Sequence, residues 1–246
     1  MSTRNHSRRE FLIVTGAVAG MAVAGLRAQA GGAQGPPLKI GIIGSGRQGG
    51  AVGLQLAKAG HEVLFSSRKP EELKDLVARA GAKAKAGLPQ DAARFGDVIL
   101  IAVPYGALPQ VGKDYAALMK GKIVIDCGNP REDRDGPMAK DAIAKGTGVA
   151  SAEYLPGVRL VRAFNALSSV QVEREAHRSG ERLGIPVAGD DQAAVATVAR
   201  LVRDAGFDPV IVGLLARAKE FDAGTAVYVK GMTAKQIRDT LKLPPQ

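Results

Sequence analysis

Apolar residues along this chain gather into short continuous runs, separated by stretches in which they recur at helical spacing. Lys39-Ile-Gly-Ile-Ile43, Glu62-Val-Leu-Phe65, Val98-Ile-Leu-Ile-Ala-Val103 and Ile123-Val-Ile-Asp126 are the clearest runs. They lack the in-and-out alternation of a half-exposed strand and predict strands of a parallel sheet buried on both faces. Between them, Val52, Leu54, Leu56 and Ala57 mark a helical face that ends at Gly60, and helix-length segments span Glu71 to Ala80 and about Gly106 to Met119. Later in the chain, Leu160–Asn165, Ile185–Gly189 and Pro209–Gly213 read as strands. Asp191 to Ala205 and Thr233 to Leu243 read as helices. Strands alternating with helices predict an α/β fold with a doubly wound parallel sheet.

The first strand runs directly into Gly44-Ser45-Gly46-Arg47-Gln48-Gly49, which opens the first helix. In a dinucleotide-binding turn the first glycine allows the sharp bend. The second lets backbone N–H groups approach a pyrophosphate, and the third lets the helix pack on the sheet. The helix N-terminus then favours the anion. With 31 glycines in the chain, a triplet alone discriminates poorly; the order strand, triplet, helix, strand carries the assignment. The expected architecture is a Rossmann sheet over residues 38–165 with a small C-terminal α/β portion over 166–246.

At the end of the second strand an NAD enzyme usually places Asp or Glu, whereas this chain carries Ser66, Ser67, Arg68 and Lys69. Hydroxyls and a forked guanidinium suit the 2'-phosphate of NADP; the alternative is a solvated basic turn before Pro70. Ligands of such sheets collect outside the carboxyl ends of the strands. Val103, Pro104 and Asn129 are therefore expected beside the cofactor, unless they are strand exits marked by proline. Asn165 and Ser168 are candidates for positioning the nicotinamide or an acceptor ring, and an ordinary helix cap explains them equally well.

Composition adds limits. The 246 residues include 34 Lys and Arg against 24 Asp and Glu, a formal charge of +10, with only 4% aromatics. The basic residues are scattered, which argues against a nucleic-acid surface. Ser7-Arg8-Arg9-Glu10-Phe11-Leu12 opens an apolar stretch to Leu26, followed by Ala28-Gln29-Ala30. The stretch is shorter than the roughly 20 residues of a membrane span. It reads as a cleaved export signal over residues 1–30, and the paired arginines resemble a twin-arginine leader. Cleavage after Ala30 would remove four arginines and Glu10, leave a charge of +7, and expose residues 31–37 as a flexible linker. The twin-arginine export machinery is then a partner and the periplasm the destination. Cys127 is the sole cysteine, so no intramolecular disulfide can form. The three histidines are His6, His61 and His177, too few and too scattered to suggest a metal site or a Ser-His-Asp triad.

The segments Ile43-Gly44-Ser45-Gly46, Gly60-His61-Glu62-Val63, Ser67-Arg68, Val103-Pro104, Asn129-Pro130, Ala163-Phe164-Asn165, Val187-Ala188-Gly189-Asp190-Asp191 and Gly206-Phe207-Asp208 follow one another in an order that resembles the deazaflavin-dependent NADP reductases. The resemblance covers Lys39 almost to the C-terminus. It implies NADP binding by Ser45, Gly46, Arg47, Gln48, Ser67 and Arg68, with Val103 and Ser168 nearby, and hydride exchange with a deazaflavin or flavin acceptor. Some members carry a lysine where this chain has Glu72. Ferric or flavin reduction is the first alternative, because the cytosolic domains of some membrane metalloreductases share the fold. A non-catalytic NADP-binding protein is the second. Pyrroline-5-carboxylate reduction is disfavoured by the short tail after Asp191, and a homodimer is compatible with the sequence.

Overall fold

The computed structural model describes residues 35–244. The leader, its cleavage point and residues 31–34 of the linker lie outside the described residues. Among the described residues eight strands form one sheet: β1 (Lys39–Ile43), β2 (Glu62–Ser66), β3 (Ala84–Gly87), β4 (Val98–Ile101), β5 (Ile123–Asp126), β6 (Arg159–Arg162), β7 (Gly184–Gly189) and β8 (Asp208–Gly213). Their spatial order is β3-β2-β1-β4-β5-β6-β7-β8. Every neighbouring pair is parallel except β6 and β7. This is the doubly wound α/β class, and residues 166–246 supply β7 and β8 at one end of the same sheet.

The helices are α1 (Arg47–Lys58), α2 (Lys74–Ala80), α3 (Pro89–Phe95), α4 (Leu108–Met119), α5 (Glu132–Asp135), α6 (Pro137–Lys145), α7 (Thr147–Tyr154), α8 (Ser169–Glu175), α9 (Gln192–Asp204) and α10 (Ala234–Thr240). They cover both faces of the sheet. On one face Ile40, Ile42 and Phe65 pack with Leu54 and Leu56 of α1 and Val198 and Leu201 of α9. On the other, Ile43, Leu64, Ile99 and Ile101 pack with Leu108 and Val111 of α4. Both sets of alternating strand side chains are therefore buried, which is why the strands read as unbroken apolar runs.

Two predicted strands are shorter than their apolar runs. The fourth ends at Ile101, two residues before Val103. The sixth ends at Arg162 because Phe164 adopts φ +62°, a left-handed conformation that cannot continue a strand. β3, with sequence Ala-Lys-Ala-Gly, has no apolar run at all. Among the described residues it is an edge strand paired only with β2, and its two central residues are exposed.

Candidate functional site

The crevice opens where the chain crosses from β1 to β2 in one direction and from β3 back to β4 in the other, the switch point of a doubly wound sheet. The glycine turn sits there, and each glycine meets a different demand. Gly44 has φ +93°, and a Cβ on it would lie 2.8 Å from the Ala102 carbonyl oxygen. A Cβ on Gly49 would lie 2.2 Å from the Gly44 carbonyl oxygen, so this glycine lets α1 close onto the turn. Gly46 has nothing within 4 Å of its Cβ position. It is the N-cap of the 12-residue α1, contributes no side-chain cap, and is followed by no acidic residue in the first turn. The open side of Gly46 and the positive end of α1 thus make a cradle suited to a diphosphate.

A cavity of about 750 Å³ joins this turn to the exits of β2 and β4; Gly44, Ser45, Gly46, Ser66, Ser67, Arg68, Val103 and Pro104 all line it. Leu73, Pro89, Val111 and Tyr115 give it an apolar wall, while Glu72, Gln110 and Asp114 add polar groups. The size falls within the range of cofactor pockets. A smaller space of about 510 Å³ adjoins it, lined by Ser67, Arg68, Lys69 and Glu72. Arg68 is exposed and has no ion pair among the described residues. The Ser67 hydroxyl accepts from the Lys69 N–H at 3.1 Å, bending the chain so that Arg68 lies between them at the tip.

Ser66 behaves differently from its neighbours. It is fully buried, and its hydroxyl donates to the Ile42 carbonyl at 2.6 Å. Its N–H donates to the Ser45 hydroxyl at 2.8 Å, while the Ser45 N–H donates to the Ser66 carbonyl at 2.9 Å. The two serines fasten the end of β2 to the glycine turn, and the Ser66 hydroxyl is committed to the fold.

The remaining candidates form a second group at the exits of β5 and β6. The Asn129 amide donates to the Asn165 carbonyl at 3.0 Å. The Asn165 amide donates to the Asn129 side-chain oxygen at 3.3 Å and to the Phe221 carbonyl at 3.2 Å. The Asn165 Oδ1 is buried without a partner among the described residues. Gln48 joins the two groups: its amide donates to the carbonyls of Phe164 at 2.7 Å and Leu167 at 3.2 Å. Ser168 is the N-cap of α8, accepting from the Gln171 N–H at 3.2 Å. Gln48 and Ser168, both expected beside the cofactor, thus have their side chains engaged within the protein, and Arg47 is exposed at the start of α1.

Over residues 39–130 the chain matches the family described as NADP oxidoreductase, coenzyme F420-dependent. The chain is similar to the metalloreductase STEAP3 of Rattus norvegicus, 30% identical over 192 residues that cover 75% of this chain and 36% of that protein. It is also similar to the F420-dependent NADP reductase of Methanothermobacter marburgensis, 30% identical over 145 residues that cover 54% of this chain and 65% of the relative. The chain therefore spans less than two thirds of the length of either. Among solved structures, a hypothetical protein of Sinorhizobium meliloti superposes with a TM-score of 0.70 at 27% identity, covering 80% of this chain and 95% of that one.

The segment matched to the NADP oxidoreductase family holds the whole glycine turn, Ser66 to Lys69, Val103, Pro104 and Asn129. Asn165 and Ser168 lie beyond it. A buried polar cluster ties the two parts together, and sequence reasoning missed it. Arg162, fully buried at the end of β6, donates to Asp126 at 2.8 Å, to the Gly128 carbonyl at 2.7 Å and to Asp222 at 2.9 Å. The Ser151 hydroxyl donates to Asp126 at 2.7 Å and lies 3.0 Å from the Tyr105 hydroxyl. Burial raises the Tyr105 pKa, so that side chain stays neutral. Burial likewise pushes the Cys127 thiol up to about 12, and its Sγ donates to the Ile101 carbonyl at 3.2 Å. The available signal was the arginine itself: a charge within Leu160-Val-Arg-Ala-Phe164 must find partners if the strand is buried on both faces.

Proposed function

We propose that this protein is an NADP-dependent oxidoreductase exchanging hydride between NADPH and a deazaflavin or flavin-type acceptor. The observation that carries the reading is the cavity that connects the open N-terminus of α1 at Gly46 with Ser67 and Arg68. The backbone of Gly44 to Gly46 would hold the diphosphate. Arg68 would take the 2'-phosphate with a forked pair of N–H donors and Ser67 would add a third. The apolar wall of Leu73, Pro89, Val111 and Tyr115 offers a slot for the adenine.

When bound, the reduced nicotinamide supplies the hydride. What this chain contributes is placement, because transfer between two rings depends on their proximity and alignment. Asn129 and Asn165 stand at the strand exits on the side of the crevice away from Arg68, held by their reciprocal hydrogen bonds, where they would shape the place of the redox rings. Phe164, the residue before Asn165, itself holds a left-handed backbone conformation costing about 1–2 kcal/mol, which its full burial and the hydrogen bond from Gln48 to its carbonyl sustain.

Ferric reduction is the second reading, favoured by the similarity to the metalloreductase. Incubating the protein with NADPH and, in turn, a deazaflavin, a flavin and a ferric chelate tests both. Loss of nicotinamide absorbance with the deazaflavin or flavin supports the proposal, and loss with ferric chelate alone supports the second reading. A flat trace with every acceptor, despite bound NADPH, would identify a non-catalytic carrier instead. We further propose export to the periplasm by the twin-arginine route. A mature mass beginning at Gly31 supports it, and an intact N-terminus would refute it.

A further inference from the structure

The smaller space at the end of β2 contains one carboxylate among its cations. Ser67, Arg68, Lys69 and Glu72 line it, and three of the four also line the larger cavity. Pro70 starts a 3₁₀ turn, Pro70–Leu73, that folds Glu72 back over the strand exit. The Glu72 N–H donates to the Lys69 carbonyl at 3.1 Å, and its carboxylate lies 3.3 Å from the Lys69 ammonium. Buried Leu73 anchors the turn from below. The two side chains of the pair are 68% and 62% exposed, so the contact is solvated and exchangeable.

We propose that Glu72 sets the dinucleotide selectivity of this site, weakening its preference for the 2'-phosphate so that the chain binds NAD as well as NADP. The inference rests on reading the cavity as the dinucleotide site. A phosphate monoester carries nearly two negative charges, and Glu72 opposes it twice, by direct repulsion and by engaging Lys69. The unphosphorylated ribose meets no such repulsion. A carboxylate beside the end of the second strand is also the group that accepts from a ribose 2'-hydroxyl. Selectivity is a difference of two affinities, and a repulsive group can set it.

Equilibrium titration of NADP+ and NAD+ against the wild-type chain, Glu72→Gln and Lys69→Ala variants and the double variant tests this. Glu72→Gln is expected to tighten NADP+ binding and raise the NADP+ over NAD+ preference about two- to fivefold, the scale of an exposed charge contact. The gain should shrink in high salt. Lys69→Ala should cost more NADP+ affinity in the Glu72→Gln background than in wild type, because Glu72 no longer holds the ammonium. An unchanged preference in Glu72→Gln would overturn the inference and leave the dinucleotide reading standing. A wild-type chain that binds neither dinucleotide would overturn both.

Discussion

Gly46 and Gly49 lie three residues apart in one turn and should respond oppositely to a side chain. At Gly46 the backbone is extended, with φ −72° and ψ −156°, and nothing stands within 4 Å of a Cβ. Gly46→Val should therefore leave thermal stability within about 0.5 kcal/mol of wild type while weakening dinucleotide binding by at least about tenfold, some 1.4 kcal/mol. At Gly49 a Cβ would strike the Gly44 carbonyl at 2.2 Å, so Gly49→Ala should cost about 1–3 kcal/mol in a denaturant melt. Equal stability losses in the two variants would contradict the roles assigned to them. These glycines were legible because their requirements are local properties of the backbone. Ser66 and Gln48 were not: the first gives its hydroxyl to Ile42 on the neighbouring strand, and Gln48 reaches carbonyls 116 and 119 residues away. Ser168 was legible as a cap, since Ser168 and Gln171 form a capping box.

At the scale of elements, the strands buried on both faces were readable from their apolar runs, and α1 and α9 from their spacing. Asp191 proved to be the N-cap of α9, accepting from the Ala194 N–H at 2.9 Å. The edge strand β3 escaped because an exposed strand needs no apolar pattern. The short helices α5, α6 and α7 escaped because packing, more than periodicity, fixes helices of four to nine residues. The cluster around Arg162 depends on that packing: Asp126 comes from β5, Ser151 from α7 and Asp222 from the chain after β8. Arg162→Ala would leave Asp126 and Asp222 without their shared cation, one of them fully buried. The loss should be about 3–5 kcal/mol, read as a lowered midpoint in urea; an unchanged midpoint would refute a structural role for the cluster.

Across the whole molecule, His61 links the start of β1 to the end of α9. Its Nδ1 accepts from the Leu38 N–H at 3.1 Å and its Nε2 donates to Asp204 at 3.1 Å, while Arg200 reaches both Asp204 and the Pro36 carbonyl. Burial holds the His61 pKa below its ordinary 6.5, outweighing the hydrogen bond and charge of Asp204 that raise it; Arg200 and Lys83 push the same way as burial. Below about pH 6.5 the unfolded chain takes up a proton that the folded chain resists, so stability must fall as the pH drops through that value. The partly buried His177 is shifted in the same direction. Melting temperature should be lower at pH 5.5 than at pH 7.5, and His61→Gln should flatten that slope even if it lowers stability throughout. A flat wild-type profile would contradict a neutral buried His61. The function proposed here depends most on the guanidinium beside the second strand, and titration calorimetry of NADP+ and NAD+ against wild type and Arg68→Ala tests it most directly. Charge-assisted bonds of about 1.5–3 kcal/mol predict that Arg68→Ala loses about ten- to a hundredfold in NADP+ affinity and keeps its NAD+ affinity nearly unchanged. Equal losses for the two dinucleotides, or no binding of NADP+ by the wild-type chain, would contradict the account.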